Sequence, residues 1–495
     1  MTSIRSAMAV VLVMGLLVAS AGATILHVPS QYPTIQAGID AAVDGDTVLV
    51  ADGTYTGDGN RDIDFGGTSI VVMSENGPEA TILDCEGSEQ EHHRGFLFHT
   101  GEDANAVVQG FTIRNGYATK GGGICINFFD VEPYPTIVGN RIEGNTATGS
   151  GGGIYCSASS SIIVGNTITG NRTITWEGGG IYCTGGGYDP IIGGNTITAN
   201  IAGYRGGGIF CNTSSPIIAG NTIAGNTGTA NAGAIACFWS ADPIIDGNTI
   251  TGNTSNVGGS IVCAYWASPM VINSILWGDS ASTGQEIALY EGSSITVAYS
   301  NVEAGSSAAF INPGCTLYWE DGNIDADPIF VHEDWKDYRL LWGSPCIDAG
   351  QPDLWDPDGT RRDMGRYIFD QSKALVTYLT PETLAVHPGE SWRVLYTLVN
   401  CHDAPQPCWG IAELTLPNGE PWPGNPLEGP DHGIMHRQYN WQCVREYEVP
   451  EMWPFGWSDF MWQVGLPANL FDKDRFSFAV LPQEGEWEAA ENARR

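Results

Sequence analysis

The sequence predicts an all-β protein: a right-handed parallel β-helix, then a small antiparallel β-sandwich. Three observations predict it. The heptapeptide GNTITGN stands at 165–171 and again at 247–253, with close relatives at 139–145 (GNRIEGN), 194–200 (GNTITAN) and 220–226 (GNTIAGN), so the starts are 26, 29, 26 and 27 residues apart. Each interval holds three short apolar, β-branched runs bounded by Gly, Asn or Pro, which is strand punctuation. No Leu/Ala/Glu-rich segment lies between them, so helical and leucine-rich repeats are excluded. Three short strands per coil describe a solenoid whose coils pair edge to edge, ~4.8 Å apart. The usual crossover chirality makes it right-handed.

The 495 residues suffice for two or three domains. Glycine supplies 65 of them, about twice the usual share, without the Gly-X-Y period of collagen. Acids outnumber bases 56 to 21, a net charge of -35. That surface repels phosphate and anionic lipid, so nucleic acid is not an expected partner. The opening MTSIRSAMAVVLVMGLLVASAGA has Arg5, an apolar run from Ala7 to Ala19, and Ala21-Gly22-Ala23 as an A-x-A cleavage site. It predicts a signal peptide over 1–23, hence an exported, soluble protein with no later membrane span. A monomer is expected.

Period-2 alternation assigns the faces of each coil. In GGGIYC (151–156), Ile154 and Cys156 point inward and Tyr155 outward; in TIT, Ile168 points inward. Stacking then predicts an inner column of Cys156, Cys183, Cys211, Cys237 and Cys263, recurring at intervals of 27, 28, 26 and 26. In-register parallel neighbours offer poor disulfide geometry, so these read as buried reduced thiols. Cys125 sits in a run one residue short and is expected to face outward, with Ile126 taking the inward slot. Asn140, Asn166, Asn195, Asn221 and Asn248 are expected to form a ladder at turns that tolerate left-handed backbone.

The helix needs covered ends. PTIQAGIDAAV (33–43) predicts an amphipathic cap helix with Ile35, Ile39 and Val43 on one face, and DGDTVLVADGTY predicts the first strand. The helical domain is expected to span 24–370. After about 372 the coil repeats stop, and this last stretch holds 8 of the 16 tryptophans. LAVHPGESWRVLYTLVN and DRFSFAVLP alternate as antiparallel strands do, so 375–482 is expected to be the sandwich and 483–495 a polar tail. Cys315 and Cys346 flank the last coils as candidates for a bridge, and one bridge among Cys401, Cys408 and Cys443 is expected of an exported chain.

The opening PTIQAGIDAAVDGDTVLVADGTY resembles that of pectin-lyase-like right-handed β-helix proteins. The repeated GGGI and GN-x-I-x-GN resemble their non-enzymatic, Asn-rich members. NIDADPIF…YRLLWGSPCIDAG…DMG is similar to the closing segment of secreted bacterial β-helix repeat proteins that carry a C-terminal sandwich or anchoring domain. The resemblance covers roughly 25–370 and implies the fold and export. The adjacent Asp-Asp, the His-Gly and the Arg-Ile-Lys of polygalacturonase-like enzymes are missing from the helical part, as are the pectate-lyase and pectin-methylesterase signatures.

Three constellations are candidate sites. The outward slot of GGGIYC carries Tyr155, Tyr182 and Phe210 on consecutive coils, with Trp176, Glu177, Tyr204 and Arg205 in the preceding loops. Such rings suit sugar faces or burial under a loop or domain. Asp189 and Asp242 share one slot two coils apart, ~9–10 Å, with Asp130 and Glu132 further down that edge; this approaches the ~6.5–9.5 Å of an inverting glycosidase pair. Ser215 and Ser268 fill the same slot on other coils, as a strand-starting turn requires. In DPDGTRRD, Asp356, Asp358 and Asp363 surround Gly359 as in a calcium loop, without the full twelve-residue pattern. His402, His432 and His436 lie in a Gly/Pro-rich segment that does not converge them for zinc. Residues 139–275 contain three bases, Arg141, Arg172 and Arg205. That scarcity beside acids favours binding of a polysaccharide or cell-surface component over a lyase or hydrolase, with no cofactor beyond possible Ca2+.

Overall fold

A computed structural model describes residues 22–451, 453–467 and 469–481. The expected signal peptide and polar tail lie almost wholly outside these residues. The chain forms a parallel β-solenoid of about 11 turns followed by antiparallel sheets, and only 2% of it is helical. It divides into two compact units. The first comprises residues up to Asp327 with 349–351 and 364–366; the second holds 328–348, 352–363 and the chain from Tyr367.

Each regular coil carries four strands, one more than the sequence predicts. The Pro-Ile-Ile runs form a 12-stranded sheet, the Thr-Ile-Thr runs and the Ile-x-Cys runs one of 10 strands each. The fourth is a 7-stranded sheet of very short strands such as Arg172–Thr173 and Ile201–Ala202. Register is strict across coils, with Cys156 opposite Cys183, Cys183 opposite Cys211 and Ile168 opposite Ile197. The inward isoleucines and the five cysteines are fully buried in one continuous core. The neighbouring thiol first, and burial second, hold Cys183 and Cys211 well above the ordinary thiol range. Cys125 faces outward opposite Tyr155, with Ile126 opposite Cys156.

The asparagines form two buried ladders, at 140, 166, 195, 221 and 248 and at 145, 171, 200, 226 and 253. In each, Oδ1 of one rung accepts both the backbone N–H and the Nδ2 of the rung before; Asn195 does so from Asn166 at 2.8 and 3.0 Å. Nδ2 also reaches a backbone carbonyl of the preceding coil, as Asn166 does at Ile137 O, 2.9 Å. The asparagines do not carry the left-handed backbone. That conformation falls on the residue before each, a glycine (φ 64° at Gly165 and at Gly170) except for Ala199 (φ 55°), which frees the asparagine to stack. Close approach of coils explains the GGG motif: a Cβ at Gly152 would meet Gly179 O at 2.4 Å.

At the start, the cap helix runs Ile35–Ala41 and is capped by Thr34 Oγ1, which accepts from Ala37 N. Ile35, Gly38 and Ile39 are buried, Gly38 close against Val28 and Val48. Val43 lies beyond the last turn and is 67% exposed. The first strand is Ile25–Val28, paired with Thr47–Val50, so the run read as first is second.

The helical domain does not continue to 370. Phe330–His332 and Asp337–Leu340 form an antiparallel hairpin of the second unit. Val331, Leu341 and Phe369 there pack with Val376, Tyr378, Leu395 and Val399. The rest of this unit is a 3-stranded and a 5-stranded sheet sharing a core that includes Trp392, Tyr396, Leu414, Phe460, Trp462 and Phe478. One pairing, Ala385–Val386 with the last strand, is parallel. All twelve cysteines are free thiols. Cys401 packs beside Val399 in one cluster and Cys408 in the other, which keeps them on opposite sides of the sheet.

Candidate functional site

The outer face of the Ile-x-Cys sheet carries an aromatic spine. Tyr155, Tyr182 and Phe210 stack with centroids 5.2 and 5.4 Å apart and planes within 6°. At the next coil the outward slot is Ala236, and the space it leaves is filled by Phe238, 5.4 Å from Phe210. This corrects the expectation that these rings offer faces to a ligand. Tyr155 is 5% exposed, Tyr182 8% and Phe210 0%, because each face lies on the next ring. Lys120 Nζ sits 4.8 Å over Tyr155, and Tyr182 OH accepts from Asn212 Nδ2 at 3.0 Å.

The loops beside this sheet hold the exposed part of the constellation. Trp176 is 55% exposed and Tyr204 39%. Tyr204 N donates to Trp176 O at 3.1 Å, so the two sit on successive coils. The Arg205 guanidinium lies between rings, 4.1 Å from Tyr204 and 4.7 Å from Phe238. It pairs with Glu177 at 3.7 Å. Burial raises the Glu177 carboxyl above its ordinary range, against the pull of Arg205. The result is a rim of two exposed aromatic residues on successive coils, with Tyr204 held against an ion-paired guanidinium.

The acids are structurally engaged. Asp189 Oδ1 accepts from Ser215 N at 2.8 Å, and Asp242 Oδ1 from Ser268 N at 2.6 Å, so each ties its turn to the next coil. Between them, Ser215 Oγ accepts from Asp242 N at 3.0 Å. The slot is one column of turn caps, which explains why Asp and Ser alternate in it. In the second unit, Asp356 Oδ2 accepts from Asp363 N, and Asp358 from Thr360 N and Gln371 N. Asp363 takes the N–H groups of Asp348 and Phe369. Burial raises Asp356 to about 6 and Asp363 to about 7. This loop spends its carboxylates on backbone amides; among the described residues no group of three or more His, Cys, Asp or Glu is placed to hold a metal ion. His402 Nε2 lies 2.8 Å from Lys373 O, while His432 packs on Trp409. A cavity of about 260 Å³ lies between the two sheets of the second unit, walled by Tyr396, Leu398, Met435, Trp441 and Trp462.

Three features escape sequence reasoning. One is a buried acidic cluster of Asp279, Glu286 and Ser260 at the end of the second ladder. Another is Arg366, whose guanidinium donates to Gly194 O, Asn195 O, Thr196 Oγ1 and Thr222 Oγ1 at 2.9–3.1 Å. The third is an aromatic corner at Trp239, Tyr265 and Trp266, with both tryptophans exposed and Tyr265 half-buried. The last had a signal: each aromatic follows the ladder cysteine by two or three residues, where other coils carry small residues.

No helix among the described residues is long and apolar enough to cross a membrane. No curated protein matches the chain. A solved structure of Spo0M, a sporulation control protein from Bacillus subtilis, is similar at 13% identity, with a TM-score of 0.18 over 24% of this chain. The match spans 56% of that protein, somewhat over half its length. Residues 63–274 match the family described as right handed beta helix region, the stretch that holds both asparagine ladders and the aromatic spine.

Proposed function

We propose that the protein is an exported, non-catalytic β-helix that binds a polysaccharide or cell-surface component. The observation that carries this is the rim of Trp176 and Tyr204, exposed on successive coils, with Arg205 held on the Tyr204 ring and paired to Glu177. Exposed planar rings beside fixed hydrogen-bonding groups are what a sugar face requires. The commitment of Asp189 and Asp242 to backbone amides supports binding rather than hydrolysis. The test is a polysaccharide panel assayed for retention and for release of reducing or unsaturated ends, with and without calcium. Retention without release is expected, weakened roughly tenfold in Trp176→Ala. Release of ends by the purified protein would replace this reading with a lyase or hydrolase.

A further inference from the structure

We infer a second glycan subsite, for an uncharged sugar chain, at the corner that leads from the Ile-x-Cys sheet to the Pro-Ile-Ile sheet. It rests on the reading that the protein binds glycan and adds a place and a ligand class to it. Trp239 and Tyr265 occupy the same turn position on successive coils and stack at 5.0 Å with planes 3° apart. Both are anchored on Phe238, at 5.4 and 5.8 Å. Trp266 follows Tyr265 and is 69% exposed. Its indole rests against Gly292, where a Cβ would come within 3.0 Å of Cδ1 and Nε1. The glycine lets the ring lie close to the next coil with its outer side to solvent.

The backbone holds these rings at a cost. Trp239, Ser240, Tyr265 and Trp266 have φ of 53°, 56°, 56° and 64°. The same turn is left-handed on other coils, at Ala158 (φ 46°), Thr213 (φ 56°) and Glu291 (φ 53°), so the turn itself imposes that backbone. What these two coils add is a second left-handed non-glycine residue and large rings, an unfavourable choice. The polar groups beside the rings set the ligand class. Ser240, Asp242, Ser268 and Glu291 are exposed on the same turns, and the chain from Arg205 to Glu291 contains no further Lys, Arg or His. Serine hydroxyls donate to and accept from sugar hydroxyls, and carboxylates accept from them. Arg205, against Phe238, is already paired with Glu177. With no further base on these coils and a net charge of -35, the corner repels a uronate polymer.

The full mature chain, Trp266→Ala and Trp176→Ala are titrated calorimetrically with cellohexaose and with hexagalacturonate, and sedimentation is followed in parallel. We expect cellohexaose to bind, hexagalacturonate not to, and Trp266→Ala to weaken binding roughly tenfold with an unchanged melting temperature. Binding lost in Trp176→Ala but intact in Trp266→Ala overturns this subsite and leaves the proposed function standing. Preference for hexagalacturonate overturns the ligand class. Self-association abolished by Trp266→Ala makes the corner a contact between copies instead. Failure of both oligosaccharides, with no polymer retained, overturns the subsite together with the reading beneath it.

Discussion

Asp279 stands where five earlier rungs of its ladder carry asparagine. Its Oδ1 accepts from Asn253 N at 2.6 Å and from Asn253 Nδ2 at 2.8 Å, so the acid completes the ladder as the amide would. The other oxygen contacts Ser260 Oγ, which also lies 2.8 Å from Glu286 Oε2. Two buried carboxyl groups and one hydroxyl cannot all act as acceptors, so the cluster retains a proton. Burial, and then the charge of Asp279, raise Glu286 from 4.5 to about 10. In the unfolded chain this carboxyl loses its proton near its ordinary value. Between those two limits the folded state holds more protons, so stability falls as pH rises. Glu286→Gln keeps the acceptor for Asp279 N and needs no proton. Its melting temperature is expected to match wild type below about pH 4.5 and to exceed it at pH 8, by about 2 kcal/mol or more in stability. Parallel thermal scans across pH check this; equal slopes for the two proteins would exclude the shared proton.

The coil is the element that the sequence describes best, and the ladder shows why. Asn200 Oδ1 accepts from Asn171 N and Nδ2, while its own Nδ2 donates to Ile168 O and Asn226 Oδ1, all at 2.9–3.0 Å. Asn200→Ala strands several buried polar groups, each costing about 1–3 kcal/mol. A loss of about 3 kcal/mol or more is expected in urea denaturation, against under about 1 kcal/mol for the outward Thr198→Ala. Strand positions, core isoleucines and the cysteine column were legible because each repeats in fixed register. The fourth strand was not, because its inward residues are small (Ala147, Thr173 and Ala202) and leave no apolar run. The burial of Tyr155, Tyr182 and Phe210 was not legible either. Alternation gives the side of the sheet a residue faces, whereas exposure depends on what the next coil and its loops place over it. Val43 shows the same limit at the helix end, where the periodic pattern outlasts the helix by two residues.

A solenoid holds each coil mainly through its two neighbours, so its stability is close to a sum of local terms and its coils can open in groups. Arg366 works against that. It comes from a point in the chain 117 residues beyond its contact at Thr249 and 171 beyond Asn195. Its backbone N–H donates to Thr249 Oγ1, Gly365 N to Asn273 O, and its guanidinium to groups on the coils of Gly194 and Thr222. One short strap therefore ties four consecutive coils of the first unit, and the Thr-Ile-Thr face under it loses its freedom to splay. Hydrogen bonds from a charged donor contribute about 1.5–3 kcal/mol each at most, and this side chain is only partly buried, so the combined effect is expected near 2 kcal/mol. Arg366→Ala is expected to lower the unfolding free energy by that amount, read as a lower urea midpoint, and to reduce the steepness of the transition, since coils once opened together would open in sequence. Amide exchange gives the finer test. Protection should fall across the coils of residues 194–275 and stay unchanged at the cap helix and its first strands. A uniform fall along the whole solenoid, or none, would show that neighbour stacking alone supplies its cooperativity.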